Sequence, residues 1–221
     1  IIVIPLITSP YISRALGAEQ VGVYTYCYSI VSYFVLFARL GIVTHGSRSI
    51  AGAKNEDEKN KVFSNTLAIQ LMLSFFMIIL YIVYFSIFDL EYHIMSIIML
   101  SYLVAAAFDV NWFFFGIEKF KITVTRNIII KLVSTVLLFG IVKGPGDLWK
   151  YGLILGLSQL VGQISVWSYI KKYVKIVKPE LKEMKVQFVA ILILFIPQIA
   201  VSLYKMMDKI MIGYYFTKNQ F

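Results

Sequence analysis

A handful of ionisable side chains lie inside or at the mouths of long apolar runs in this 221-residue chain. Placing such a group at the centre of a bilayer costs about 2.5–3.5 kcal/mol, so each needs a partner or a task. Asp109 sits nine residues before Glu118, which puts it roughly 13 Å deep at the helical rise. Lys131 lies five residues past Arg126, roughly 8 Å deep by the same rise. Opposite charges on successive helices in one half of a membrane can pair, so an Asp109–Lys131 bridge is one expectation. The other is a polar cavity wall or a cation site that uses Asp109 as the carrier. Arg14 and Arg39 stand at span ends, where an arginine either snorkels to the interface or meets an anionic ligand. Lys205, Asp208 and Lys209 share a helix face by their spacing. One ion pair there leaves a spare positive charge suited to an anionic headgroup, and makes Asp208 a second ion-coupling candidate.

Other chemistries are poorly supplied. The histidines are His45 and His93, placed by the span order on opposite sides of a membrane, which argues against a histidine metal site or hydrolytic triad. The lone Cys27 excludes an internal disulfide and a thiolate cluster. No phosphate-binding glycine loop, dinucleotide fingerprint or zinc-protease signature appears. The sequence therefore implies no metal and no cofactor.

The elements that must position these groups follow from composition. Hydrophobic residues make up 59% of the chain and charged ones 15%, with a mean hydropathy of +0.78. Soluble chains carry nearer 25% charge. A bilayer-crossing helix needs about 20 apolar residues, and the apolar runs are 1–13, 20–38, 62–88, 94–117, 124–142, 151–170 and 186–204. This predicts an all-α integral membrane protein, a polytopic bundle of six full spans plus a truncated first one, cut from a longer chain. No segment shows the alternation of a barrel wall.

Lysines and arginines sort the connections. The even loops carry thirteen, among them Arg48, Lys54, Lys119 and Lys121, and the odd loops carry three, Arg14, Lys143 and Lys150. This bias places the even loops and the N-terminus in the cytoplasm, so the net charge of +9 speaks for membrane orientation and anionic headgroups, not nucleic acid. The longest basic connection, from Lys171 to Pro179, is either a short interfacial helix or a solvated hinge between two halves. Gly144-Pro145-Gly146-Asp147 predicts a tight turn. Gly152, Gly156, Gln159 and Gln163 share one face of their span, suiting close helix packing or a cavity lining. Trp112-Phe113-Phe114-Phe115 reads as an interfacial aromatic belt.

An internal repeat supports a two-part organisation. Ile4-Pro5 followed by Arg14 and Gly17 has a counterpart in Ile196-Pro197, Lys205, Lys209 and Gly213. Helices broken at corresponding places in two halves mark transporter architecture. The expected organisation is an N-terminal six-helix lobe over 1–170, a basic inter-lobe loop over 171–187, and the first helix of a C-terminal lobe over 188–221.

These stretches resemble the polysaccharide-transporter (Wzx-like, O-antigen and capsule) flippase family within the multidrug, oligosaccharidyl-lipid and polysaccharide exporter superfamily. The matching residues are Pro5 to Tyr24, Gly41 to Ala51, Asp109 to Lys121, Arg126-Asn127 with Lys131, Asp147 to Tyr151, and Phe195 to Gly213. The Trp112–Lys121 block is the most specific, although Phe115 stands where the family usually has glutamine.

The resemblance implies two six-helix lobes around a cationic cavity and no enzymatic activity. The work it implies is moving an undecaprenyl-pyrophosphate-linked oligosaccharide from the inner to the outer leaflet of a bacterial cytoplasmic membrane by alternating access. Arg14 is then the first candidate contact for the cargo, followed by Lys205 and Lys209, then Arg39 and Lys131. Membrane lipids, a polysaccharide polymerase and chain-length machinery are the implied partners. The rival readings are a multidrug or lipid II exporter of the same superfamily and part of a membrane-bound glycosyltransferase or polymerase. The first should line its site with acids and aromatics, and the last should carry a large outer loop with carboxylates.

Overall fold

The computed structural model describes the backbone of residues 3–88 and 92–218 and the side chains of residues 4–88 and 92–201. The described chain is helical, in the order α1 (Val3–Arg39), α2 (Ile42–Ala51), α3 (Glu56–Phe88), α4 (His93–Ala107), α5 (Asn111–Gly116), α6 (Phe120–Ile141), α7 (Leu148–Ile170) and α8 (Leu181–Lys218). Among the described residues, six stretches are long and apolar enough to cross a membrane. Hydrocarbon leaves backbone groups no water to bond with, so helices satisfy them internally. Outward faces carry Met72, Phe75, Val136 and other large exposed apolar side chains, as a lipid-facing surface requires. The protein is a multi-pass membrane protein.

The loop expected between the runs 1–13 and 20–38 is a break at one residue within α1. Gly17 adopts φ 81°, ψ 163°, a left-handed backbone that side chains disfavour, and helix continues on both sides. The arm before the break packs Ile12 and Leu16 against Leu138, Val142 and Ile154, at the end of the bundle where α6 finishes and α7 begins. Tyr11 donates its hydroxyl hydrogen to the Val142 carbonyl at 2.8 Å. The turn at 144–147 forms as predicted, with Asp147 Oδ2 accepting from Lys143 N at 2.9 Å and Gly144 N at 3.3 Å.

Helices α4 and α7 cross closely because α7 presents glycine. A Cβ at position 156 would lie 2.0 Å from Ser101 Oγ, and one at 152 would lie 2.9 Å from Met95 Sδ. Gly152 and Gly156 thus serve packing, as one of the two expectations held.

The run 94–117 is not one helix. It stops at Ala107 and resumes at Asn111 as the short α5, which packs on α2. Trp112, Phe113 and Phe114 are consequently buried to 1%, 0% and 0% exposure, packed with Phe63, Ile50 and Ile170. The belt expectation is overturned: the break turns the aromatic block inward, and Phe115 alone of the four stays exposed, stacked on Phe120.

The basic connection is not an interfacial helix; its lysines are exposed and its backbone is pinned to α3. Residues 174–180 are neither helical nor free, and α8 already begins at Leu181. Buried polar side chains of α3 hold the connection: Asn60 Oδ1 accepts from Lys175 N, Ser64 Oγ from Val177 N and Asn65 Oδ1 from Glu180 N, each at 2.9 Å. Asn65 Nδ2 also donates to Glu183 Oε2 at 2.8 Å, and Lys61 pairs with Glu180 at 3.0 Å. Backbone groups without a ladder partner need such acceptors when buried.

Candidate functional site

The α4–α5 break builds a buried polar locus. A helix end leaves carbonyls without intrahelical donors. Here the amide of Gln70, buried on α3, supplies them. Gln70 Nε2 donates to the carbonyls of Ala106 at 2.8 Å, Ala107 at 3.2 Å and Asp109 at 2.9 Å, while its Oε1 accepts the Trp112 indole N–H at 2.9 Å. The break is therefore held from α3, and it aims the Asp109 side chain towards α1.

Asp109 is 6% exposed and well satisfied. Its Oδ2 accepts from Arg39 Nη2 at 2.7 Å, and its Oδ1 accepts from Asn111 N at 3.1 Å and Asn111 Nδ2 at 2.7 Å. The network continues to α6 and α7. Asn111 Oδ1 accepts from Arg126 Nη2 at 3.1 Å, Gln163 Oε1 accepts from Asn111 Nδ2 at 3.1 Å, and the Gly162 carbonyl accepts from Arg126 Nη1 at 2.6 Å. Two guanidinium groups thus join a network with one carboxylate, Arg39 directly and Arg126 through Asn111, leaving a net positive charge. The Nε atoms of both arginines are buried without a protein partner.

Arg39 also faces a cavity of about 400 Å³ between α1, α4, α7 and α8. One face of α1 lines it through Tyr28, Ser32 and Arg39, joined by Tyr102, Gln159 and Gln198. The volume lies within the range of small-molecule sites, roughly 300–1,000 Å³, and mixes an apolar lining with few polar groups in the usual way. Arg39 is 31% exposed at its side chain, so the guanidinium is anchored on Asp109 from behind and open to the cavity in front.

The structure brings Arg39 and Asp109 together and leaves other predicted residues elsewhere. The Asp109–Lys131 bridge does not form: the break at residues 108–110 turns Asp109 towards Arg39, while Lys131 is exposed on α6. Arg39 is accordingly more than an interface anchor. Arg14 is exposed three residues before the Gly17 break and does not line this cavity. The side chains of Lys205, Asp208 and Lys209 fall outside the described residues. The glycine–glutamine face of α7 divides its labour, with Gly152 and Gly156 packing, Gln159 lining the cavity and Gln163 joining the network.

Sequence reasoning gave no site role to Gln70, Asn111 or Arg126. Each carried a signal: an amide deep in the run 62–88, an amide two residues after Asp109, and an arginine within a span. Polar groups in spans bond across helices.

Comparison with known proteins places this geometry in context. The chain is 29% identical over 216 residues to a putative O-antigen transporter of Shigella dysenteriae, covering 96% of this chain and 54% of that protein. It is 29% identical over 167 residues to a putative O-antigen transporter of Escherichia coli strain K12, covering 73% of this chain and 40% of that protein. The chain thus spans about half the length of the curated relatives it matches. No solved structure matches it. A family described as polysaccharide biosynthesis protein matches residues 1–220, and with that match over nearly its whole length the chain belongs to this family.

Proposed function

We propose that this chain forms the first lobe, over residues 1–170, of a flippase that carries an undecaprenyl-pyrophosphate-linked oligosaccharide from the inner to the outer leaflet of a bacterial cytoplasmic membrane. The observation that carries the reading is Arg39, a cation open to an intramembrane cavity and held there by Asp109. Family membership and the O-antigen transporter names of the relatives support it. A diphosphate entering the cavity meets a fixed guanidinium in a low-dielectric setting, where charge–charge attraction is stronger than in water. Guanidinium forks also match phosphate oxygens better than ammonium groups do. Asp109 fixes the position of the Arg39 guanidinium without cancelling the cluster's positive balance.

Alternating access follows from the two-lobed arrangement: the lobes rock, the headgroup crosses through the cavity and the lipid tail stays in the membrane. The basic loops and the N-terminus face the cytoplasm. Arg14, Lys205 and Lys209 supply further contacts along the path, and Asp109 couples transport to an ion gradient. Polysaccharide polymerase and chain-length machinery receive the product.

The test replaces Arg39 with Ala in the full-length parent protein and follows surface polysaccharide and lipid-linked precursor, with membrane insertion checked. Loss of surface polymer with precursor accumulating on the cytoplasmic side is expected. Normal polymer in that variant returns Arg39 to a structural role, and normal polymer after deletion of the whole gene overturns the function. Asp109→Asn in the inserted protein removes the dependence of transport on an imposed ion gradient; unchanged dependence overturns the coupling role.

A further inference from the structure

The cavity is chemically two-ended. The lining face of α1 runs through Tyr28, Ser32, Leu36 and Arg39 at steps of three and four residues. Tyr28 and Arg39 therefore stand about 16 Å apart along the helix. Charge is confined to the Arg39 end. The rest of the lining is neutral, with the Tyr28–Tyr102 ring pair and Gln159 among it.

The tyrosines there are held as a platform. Tyr24 and Tyr102 share a hydroxyl–hydroxyl hydrogen bond at 2.9 Å. The Tyr28 ring meets Tyr102 edge-on at 5.2 Å and stacks on Tyr24 at 5.9 Å, while Tyr24 packs edge-on against Tyr151 at 4.7 Å. Such ring pairs fix orientation. Tyr28 is 37% exposed, and neither its hydroxyl nor the Gln159 amide has a hydrogen-bond partner among the described residues. A purely packed seam would offer neither an open aromatic face nor free hydrogen-bonding groups.

We infer that Tyr28, Tyr102 and Gln159 form a carbohydrate subsite, separate from the anion contact at Arg39, that takes the sugar rings of the cargo. This rests on the flippase reading. An uncharged sugar ring has an apolar C–H face and a rim of hydroxyls. The Tyr28 ring covers the first, while the phenol hydroxyl and the Gln159 amide, which both donate and accept, pair the second. A lipid tail would leave these polar groups unpaired, and an anion would seek Arg39. The cargo therefore lies with its diphosphate at the basic end and its sugars directed along α1 towards Tyr28. Each end is read separately, charge by Arg39 and glycan by the tyrosines.

The experiment uses the purified full-length parent in lipid nanodiscs. Undecaprenyl diphosphate, and the same lipid bearing the host cell's oligosaccharide repeat unit, are titrated onto wild type, Tyr28→Ala, Gln159→Ala and Arg39→Ala. Tyr28→Ala and Gln159→Ala are expected to weaken the glycosylated lipid about tenfold, the scale of one stacking contact with its hydrogen bond, and to leave the sugar-free lipid unchanged. Arg39→Ala weakens both. Equal effects of Tyr28→Ala and Gln159→Ala on the two lipids, or no effect on either, overturn the subsite while leaving the flippase reading standing. Failure of wild type to bind either lipid overturns both. Gln159 is exposed, so its variant decides the matter if Tyr28→Ala does not insert.

Discussion

Arg39 Nη2 lies 2.7 Å from Asp109 Oδ2, tying the end of α1 to the break between α4 and α5. The carboxylate is buried and the guanidinium is open on one side, so the pair positions a cation at a cavity as well as bracing the bundle.

Removing one partner of a buried pair leaves the other charge uncompensated, at about 3–5 kcal/mol when both are fully buried. Arg39 is 31% exposed, which lowers the expected cost of Asp109→Asn to about 1–3 kcal/mol. The double variant Arg39→Gln with Asp109→Asn removes both charges and should recover most of that stability while transport stays lost. Thermal unfolding of the purified parent protein and a surface-polysaccharide assay separate the two. Recovery of transport in the double variant would show that the pair matters only for folding.

The α4–α7 crossing depends on position 156. A Cβ there would come within 2.0 Å of Ser101 Oγ. Gly156→Ala should therefore destabilise the protein by about 1–3 kcal/mol, the usual cost of overpacking. Ser101→Ala removes the clashing oxygen, so adding it should restore part of the loss. Thermal melts of the two single variants and the double give the coupling, and additive effects would contradict the contact.

The clasp of Asn60, Ser64 and Asn65 on residues 175–180 protects a lysine-rich connection. The double variant Asn60→Ala with Asn65→Ala frees the backbone N–H groups of Lys175 and Glu180. Trypsin should then cut after Lys175 several-fold faster than in wild type, at unchanged overall melting temperature if only the connection opens. Equal cleavage rates would show that the clasp does not limit access.

Orientation can be read by cysteine labelling. Cys27 is buried and is the single cysteine of this sequence, so Cys27→Ser, together with replacement of any cysteine elsewhere in the parent, gives a clean background. A cysteine at Lys172 should react with a membrane-impermeant maleimide only after the cells are opened, and one at Gly146 should react in intact cells. The reverse pattern would invert the topology.

The sequence by itself determined the class of this protein. Long apolar runs leave no other folded state in lipid, and the loop charges and the turn at 144–147 are local properties that need no tertiary partner to be read. Glycines at 152 and 156 announced close packing for the same reason, because a missing side chain matters wherever the neighbour sits. The tertiary structure alone decided which charges meet. Asp109 looked towards Lys131 while 94–117 was taken as one straight helix. Gln70, thirty-six residues upstream of Ala106 and on another helix, caps the broken end and turns Asp109 to Arg39. The same break drew the aromatic block into the core, and polar side chains of α3 pinned the backbone of a basic linker. Each of these outcomes rests on hydrogen bonds between residues far apart in the chain, and helical periodicity carries no record of such partners.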